Sequence, residues 1–178
     1  MDKQIFIING SGGVGKDTFV DLVSVELNDK LKHFHTVINY SSVDKVKEIA
    51  RKIGWDGKKS EKDRKFLSDL KILTSSYCDM PFESMKNKMI EFLGDEESKL
   101  LFLHIREPEE IERAVKAFKA KTILIVRDSV RHITSNMGDK NVFKYKYDFV
   151  IENNGTIEDL REKAKEFLKE ECLWDVIL

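Results

Sequence analysis

A glycine-rich stretch near the amino terminus constrains the fold of this chain more than any other part of its sequence. The stretch runs from Gly10 to Thr18 and reads GSGGVGKDT. An apolar run, Ile5 to Ile8, precedes it, and a segment with helical apolar spacing begins at Phe19. Because glycines leave few side chains in the way, such a backbone can curl around an anion and point successive N–H groups at it. The dipole of the following helix adds positive potential at the same place.

The stretch satisfies the phosphate-binding pattern G-x-x-x-x-G-K-[ST] with one deviation. Lys16 stands at the lysine of the pattern, but Asp17 takes the position of the hydroxyl residue and Thr18 follows one position later. The alternative interpretation is a tight turn between a strand and a helix with a surface lysine. A strand before the stretch and a helix after it are the context that favours phosphate binding. We therefore expect Lys16 to bind the β- and γ-phosphates of a nucleotide.

Asp17 has several possible roles in this setting. Its carboxylate is a hard ligand that suits Mg²⁺, directly or through water. It can instead contact the acceptor substrate, or simply be a favourable acidic residue in the first turn of a helix. Thr18 can supply the missing hydroxyl or donate a hydrogen bond to the α-phosphate.

Length and composition favour one α/β domain in a reducing compartment. The 178 residues are 41% apolar, which is enough to build a core. The 31 basic and 32 acidic residues nearly balance, which argues against a nucleic-acid partner held by a broad basic field. Cys78 and Cys172 are too far apart to suggest a disulfide framework. With no signal peptide and no apolar run of membrane-spanning length, we expect a cytoplasmic protein without a membrane partner.

Apolar segments alternate with helical patterns along the whole chain. The segments typical of strands end near Asn9, Tyr40, Ile105, Val126 and Ile151. This alternation predicts a three-layer α/β fold, in which a five-stranded parallel sheet with right-handed crossovers carries helices on both faces. The carboxyl ends of the strands then meet at one edge of the sheet, where ligands bind in such folds.

Two charged residues follow the third predicted strand. Arg106 and Glu107 come directly after Ile105. An arginine there can grip an acceptor phosphate through two hydrogen bonds, and Glu107 is a candidate to hold hydrated Mg²⁺. The plain alternative is a first-turn acid beside a surface arginine.

Arginines also follow the fourth predicted strand. Arg127 and Arg131 are four residues apart and share a face if the segment is helical. Mobile arginines that close over phosphates exclude water and stabilise the transferring charge, so both are candidate catalytic residues. A solvated basic turn is the alternative.

Further candidates lie in and around the segment between the second and third strands. Arg64 belongs to a basic run after a Trp-Asp-Gly turn and is a candidate to bind an acceptor phosphate, although a solvated helix start explains the run as well. A hydroxyl acceptor would need a base, and Asp17 or Asp44 would then serve. His104 lies in an apolar strand and is more typical of a satisfied core histidine than of a base.

The chain resembles the P-loop kinases of the nucleoside monophosphate kinase group, and among them the deoxynucleoside monophosphate kinases of the phage type. The resemblance rests on Gly15-Lys16-Asp17-Thr18 and on Asp148 to Leu160, which is similar to a D-x-x-I-x-N-[ND]-G-[ST]-x-x-x-L signature shared with dephospho-CoA kinases. It implies a single P-loop kinase domain over residues 1–178, with an acceptor-binding helical insert at about 41–98 and a small lid at about 127–146. It also implies ATP and Mg²⁺ as cofactors and places Asn154 beside the adenine.

Together these observations predict an ATP-dependent kinase that transfers the γ-phosphoryl group to a nucleoside or deoxynucleoside monophosphate, as a monomer or homodimer. The alternatives are a kinase for another metabolite, of the dephospho-CoA or phosphomevalonate type, and a non-catalytic nucleotide-binding module. The absence of an N-K-x-D motif disfavours a GTP-dependent switch. The predicted site comprises nucleotide-binding Gly10, Ser11, Gly12, Gly13, Val14, Gly15, Lys16, Asp17, Thr18 and Asn154, catalytic Lys16, Arg127 and Arg131, substrate-binding Asp44, Arg64 and Arg106, and metal-binding Asp17 and Glu107.

Overall fold

The computed structural model describes residues 2–32, 36–58, 60–130 and 141–171. The strands in these ranges are β1 (Gln4–Asn9), β2 (Val37–Ser41), β3 (Leu100–His104), β4 (Lys121–Val126) and β5 (Phe149–Glu152). The helices are α1 (Lys16–Leu31), α2 (Asp44–Lys52), α3 (Glu61–Cys78), α4 (Met80–Gly94), α5 (Pro108–Phe118) and α6 (Ile157–Glu171), with a 3₁₀ turn at Val142–Lys144. The sequence pattern predicts that the second strand begins at Phe34 and that the last helix ends near Leu173, and both positions lie outside the described residues.

All five strands are parallel and lie in the order β2-β3-β1-β4-β5. The chain moves from β1 to β2 on one side and later crosses from β3 over to β4 on the other side of β1. The turn after β1 therefore lies at a topological switch point, where ligands bind in open α/β sheets.

Alternation along the strands divides the core between the two faces of the sheet. Phe102 of β3 packs with Phe19 of α1 and Phe167 of α6 on one face. Leu103 packs with Phe92 of α4 and the helix α5 on the other face. Because both faces are covered, the strands are apolar on both sides, as expected for a parallel sheet. The prediction of a five-stranded parallel sheet with helices on both faces is confirmed.

The helix boundaries follow from local signals in the sequence. Ser60 and Asp63 form a capping box at the start of α3, in which the Ser60 hydroxyl accepts from the Asp63 N–H and the Asp63 carboxylate accepts from the Ser60 N–H. Pro81 lies in the first turn of α4, and Pro108 begins α5. None of the described helices combines the length and apolar content that crossing a bilayer requires.

Candidate phosphate-binding site

The glycine-rich loop joins the central strand to the amino terminus of α1. Gly15 is the N-cap of this helix, with a φ of 96° that favours glycine. Gly10 has a φ of 146°, and a Cβ there would lie 2.4 Å from the carbonyl oxygen of Ile125. A Cβ at Gly15 would lie 2.5 Å from the Nδ2 atom of Asn153. Both positions therefore need glycine for conformation and for space.

A buried asparagine braces the start of the loop. The Oδ1 atom of Asn9 accepts from the Gly10 N–H at 2.8 Å. Its Nδ2 group donates to the carbonyl oxygen of Arg106 at 3.2 Å and to the Tyr147 hydroxyl at 2.7 Å. That hydroxyl donates to the carbonyl oxygen of Val142 at 2.8 Å, and burial raises the pKa of Tyr147 to about 12, so it keeps its proton at neutral pH. One side chain thus ties the loop to the segments after β3 and before β5.

A second buried asparagine fastens the middle of the loop to the last strand. Asn153 donates from Nδ2 to the Val14 carbonyl oxygen at 2.8 Å, and its backbone N–H donates to the Val126 carbonyl oxygen at 2.7 Å. Asn154 instead accepts from the Asp128 N–H at 2.9 Å and donates to the Asp128 carboxylate at 2.8 Å. The two adjacent amides therefore have different tasks. Sequence analysis assigned a role to Asn154 and gave none to Asn153 or Asn9, although both lie at predicted strand ends.

Lys16 lies over the loop that it follows. Its ammonium group donates to the carbonyl oxygens of Gly10 at 2.6 Å and Ser11 at 2.9 Å. The Ser11 side-chain hydroxyl is buried and has no hydrogen-bond partner within the described residues. A buried hydroxyl left without a partner costs about 1–3 kcal/mol. The unpartnered Ser11 hydroxyl, next to a loop that carries the Lys16 charge, fits a binding site for an anionic ligand.

A cavity of about 230 Å³ adjoins this side of the loop. Its lining combines an apolar wall with three polar residues, and consists of Ser11, Val14, Ile125, Val126, Arg127, Asp128, Val130 and Phe143. Arg127 is half-buried. The structure therefore brings the predicted catalytic Arg127 to the same cavity as the loop, whereas Arg131 lies outside the described residues.

The first turn of α1 meets the carboxyl end of β3 through a histidine. The Nε2 atom of His104 lies 3.6 Å from Asp17 Oδ1 and 2.6 Å from Asn39 Oδ1. Burial lowers the pKa of His104 to about 4, so the imidazole is neutral at pH 7. Both neighbours present oxygen atoms, which assigns the ring hydrogen to Nε2. His104 is hydrogen-bonded, as expected of a satisfied histidine, but it faces the loop and not the centre of the core.

The predicted substrate-binding residues lie on three separate elements. Asp44 begins α2, where its carboxylate accepts from the Ser41 N–H at 2.8 Å and from the Lys47 ammonium at 3.0 Å. Arg106 is exposed after β3, and Arg64 is exposed in the first turn of α3. Asp44 therefore has a structural role at the end of β2, and substrate binding by all three residues stays a prediction.

The carboxylates near the loop suit a weakly held hydrated ion. Among the described residues, no three or more His, Cys, Asp or Glu side chains cluster as a metal site. Mg²⁺ commonly takes only one or two protein carboxylates and fills the remaining positions with water and substrate phosphate oxygens. Asp17, whose side chain is 83% exposed, and the partly buried Glu107 at the N-cap of α5 fit that mode of binding.

Solved structures of kinases share this architecture, although no protein family model and no curated protein sequence matches the chain. Shikimate kinase from Aquifex aeolicus is 15% identical with a TM-score of 0.51, and the match covers 96% of this chain and 99% of that one. Thymidylate kinase from Ehrlichia chaffeensis is 12% identical with a TM-score of 0.51, over 94% and 100% of the two chains. A sugar kinase from a Janibacter species is 12% identical with a TM-score of 0.51, over 96% of each chain. The chain therefore has the fold of the P-loop kinases.

Proposed function

We propose that this protein is an ATP-dependent phosphotransferase that acts on a small molecule. The observation that carries this proposal is the loop itself, with the Lys16 ammonium over it and the buried Ser11 hydroxyl without a partner among the described residues. The kinase fold supports it, since the three similar structures are named as kinases of shikimate, thymidylate and sugar.

The donor half of the reaction is assigned to the loop. Its N–H groups and Lys16 bind the β- and γ-phosphates and offset the charge that develops during transfer. Mg²⁺, when bound by Glu107, Asp17 or both, neutralises charge on the phosphate oxygens. Arg127, at the cavity beside the loop, stabilises the transferring group, and we assign Arg131 the same task. Catalysis of this kind depends on positioning and electrostatics more than on covalent chemistry.

The acceptor that we propose is a nucleoside or deoxynucleoside monophosphate. The GKDT loop and the segment from Asp148 to Leu160 support this choice through their similarity to the phage-type enzymes. We assign Arg106 after β3 and Arg64 on α3, both exposed, to the acceptor phosphate. In this proposal one domain spans residues 1–178, residues 41–98 form the acceptor-binding insert, and residues 127–146 form the lid. A cytoplasmic monomer or homodimer completes the proposal.

The test is a screen of the purified protein with ATP, Mg²⁺ and all ribo- and deoxyribonucleoside monophosphates, in which the nucleotide products are separated by chromatography. We expect a diphosphate product from at least one monophosphate. Binding of ATP without any diphosphate product would overturn the acceptor assignment, and failure to bind ATP in calorimetry would overturn the kinase proposal as a whole.

A hydroxyl-bearing or other metabolite is the second candidate acceptor. The contact between Asp17 and His104 favours it, because a carboxylate beside an imidazole suits contact with a hydroxyl better than contact with a phosphate. Extending the screen to shikimate, simple sugars, dephospho-CoA and phosphomevalonate separates this candidate from the first. Tight ATP binding with no transfer to any compound would favour a non-catalytic nucleotide-binding module.

A further inference from the structure

The residues around the loop fall on two sides of it. Ser11 and Arg127 line the cavity toward β4. On the opposite side, toward β3 and β2, the Asp17 carboxylate contacts His104, which is its only polar side-chain contact within the described residues. The insert follows β2 directly in the chain, so this second side is the side of the acceptor under the proposed function. Asp17 therefore turns away from the cavity and toward the acceptor.

The orientation of His104 follows from the pairing of β3 with β2. Asn39 pairs with Phe102, and Ser41 pairs with His104, so Asn39 lies diagonally across from His104 on the same face of the sheet. The Asn39 side-chain oxygen lies 2.6 Å from Nε2 and fixes the plane of the ring. The imidazole is enclosed, with only 13% of its side chain exposed. The one N–H of the neutral ring is donated to Asn39, and the same Nε2 atom lies 3.6 Å from the otherwise exposed Asp17 carboxylate, which therefore lies against a ring of fixed orientation.

Two negative and two positive side chains face His104, so the charge around it is balanced. Asp17 and Asp44 are negative, and Lys16 and Lys47 are the positive groups that face it. Lys47 is paired with Asp44, and Lys16 contacts the loop carbonyl oxygens. A carboxylate in this position repels a phosphate and attracts a hydrogen-bond donor.

We propose that Asn39 and His104 form a positioning pair that directs the Asp17 carboxylate to a hydrogen-bond donor of the acceptor, such as a hydroxyl group, and not to the metal ion of the donor nucleotide. This inference rests on the proposed kinase function with its second candidate acceptor, a hydroxyl-bearing metabolite, and leaves Glu107 as the carboxylate for Mg²⁺. It assigns a role to the residue that departs from the G-K-[ST] pattern. Asp17 is the residue that touches the acceptor, and Asn39 and His104 act through it.

The first test needs no turnover. The dissociation constant of ATP is measured by calorimetry with and without Mg²⁺, for the wild type and for Asp17→Asn. We expect Mg²⁺ to strengthen ATP binding by the same factor in both proteins, within about twofold. A variant in which Mg²⁺ has lost most of its effect would overturn the inference, because Asp17 would then be a metal ligand.

The second test compares steady-state kinetics of His104→Leu, His104→Gln and Asn39→Ala with the wild type. We expect His104→Leu to raise the KM of the acceptor about tenfold, equivalent to about 1.4 kcal/mol, while the KM of ATP stays within about twofold. His104→Gln keeps an N–H donor and should recover most of the loss. Glu48→Gln on the exposed face of α2 is the control, and thermal melting checks that each variant folds.

A double-mutant cycle then distinguishes positioning from a direct effect. If His104 acts through Asp17, His104→Leu adds little to the KM of the acceptor once Asp17→Asn is present. Additive effects, or an increase in the KM of ATP with no change for the acceptor, would overturn the positioning role. Failure of the proposed function would show itself differently, because the wild-type protein would then phosphorylate no acceptor. In that case the comparison of ATP binding with and without Mg²⁺ still decides whether Asp17 is a metal ligand.

Discussion

The two sides of the sheet edge differ in how firmly they are built. On the donor side, the loop and its braces are enclosed: Asn9 is fully buried, and Ser11 and Asn153 are almost so. On the insert, residues 61–78 are all described and none of them is buried, although α3 carries apolar Ile72 and Tyr77. Packing thus fixes the geometry of the loop, whereas the insert keeps an open surface. Under the proposed function, recognition of the acceptor falls to the less constrained side.

The largest effect expected on the donor side is loss of catalysis on removal of the loop cation. Under the proposed function, Lys16→Ala should reduce kcat by at least about 100-fold, because the γ-phosphoryl group loses the cation assigned to it. Lys30→Ala in the last turn of the same helix is the matched control and should leave kcat unchanged. Steady-state assays with saturating ATP make the measurement, and similar values of kcat for both variants would contradict the assignment of Lys16.

The enclosed geometry of the loop predicts a large difference between two of its glycines. Gly10→Ala should lower the free energy of unfolding by about 2–4 kcal/mol, since the new Cβ meets the Ile125 carbonyl oxygen. Gly13 also has a positive φ, but a Cβ there would meet no atom within 4 Å, so Gly13→Ala should cost only about 1–2 kcal/mol. Urea denaturation measures both variants. Equal costs would indicate that the start of the loop is not tightly packed against β4.

The two adjacent asparagines offer a sharper comparison within the donor side. Asn153→Ala leaves the Val14 carbonyl oxygen without its side-chain donor, and we expect a loss of about 1–3 kcal/mol in the free energy of unfolding. Asn154→Ala removes an exposed contact with Asp128 and should cost about 0.5–1 kcal/mol. Chemical denaturation of the two variants tests the order, and a larger cost for Asn154 would contradict it.

Burial of Tyr147 predicts a modest loss of stability at high pH. Its pKa rises from the ordinary value of 10 to about 12 on folding, so the unfolded chain loses this proton first as the pH rises. The contribution of protonated Tyr147 to the free energy of unfolding is complete below pH 10 and is lost as the pH increases toward 12. Thermal melting between pH 8 and 12 should therefore show a shallower alkaline loss for Tyr147→Phe than for the wild type. Parallel curves would show that Tyr147 does not contribute.

The smallest effect is expected on the open surface of the insert. Ile72→Ser should change the free energy of unfolding by less than about 0.5 kcal/mol, because the Ile72 side chain is largely exposed. Met85→Ala on the neighbouring helix α4 is the comparison, and it should cost about 2–5 kcal/mol because Met85 is buried. A large loss for Ile72→Ser, measured by denaturation at several protein concentrations, would mean that another surface covers α3.

The features that sequence analysis predicted are those that depend on neighbouring residues. The glycine loop, its flanking strand and helix and the alternation of strands with helices are all local patterns, and the structure contains them. The roles of Asn9 and Asn153 escaped prediction because their partners are distant in the chain: Asn9 contacts Tyr147, and Asn153 contacts Val14.

The difference between Asn153 and Asn154 follows from which of two successive residues turns inward after β5. The alternation of the strand continues past its end, so Asn153 is buried like Ile151 and Asn154 is exposed like Glu152. The place of His104 beside Asp17 was not predicted either. Its apolar neighbours in β3 are typical of a core strand, and only the register with β2 brings it beside Asn39 and under Asp17. A signal was present in the alternation of β3, since position 104 follows Phe102 on the face that α1 covers.

The contacts of Lys16 with the loop carbonyl oxygens bear on the kinetics of nucleotide association. The ammonium group already lies over the loop, held by Gly10 and Ser11, while Asn9 and Asn153 hold the loop itself. Under the proposed function, an arriving triphosphate meets a cation that is already in place, so binding requires no prior change of the Lys16 rotamer. The time course of ATP association should then be a single exponential whose observed rate constant rises linearly with ATP concentration. Variants of Asn9 and Asn153 that differ from the wild type in ATP affinity should differ mainly in the dissociation rate constant.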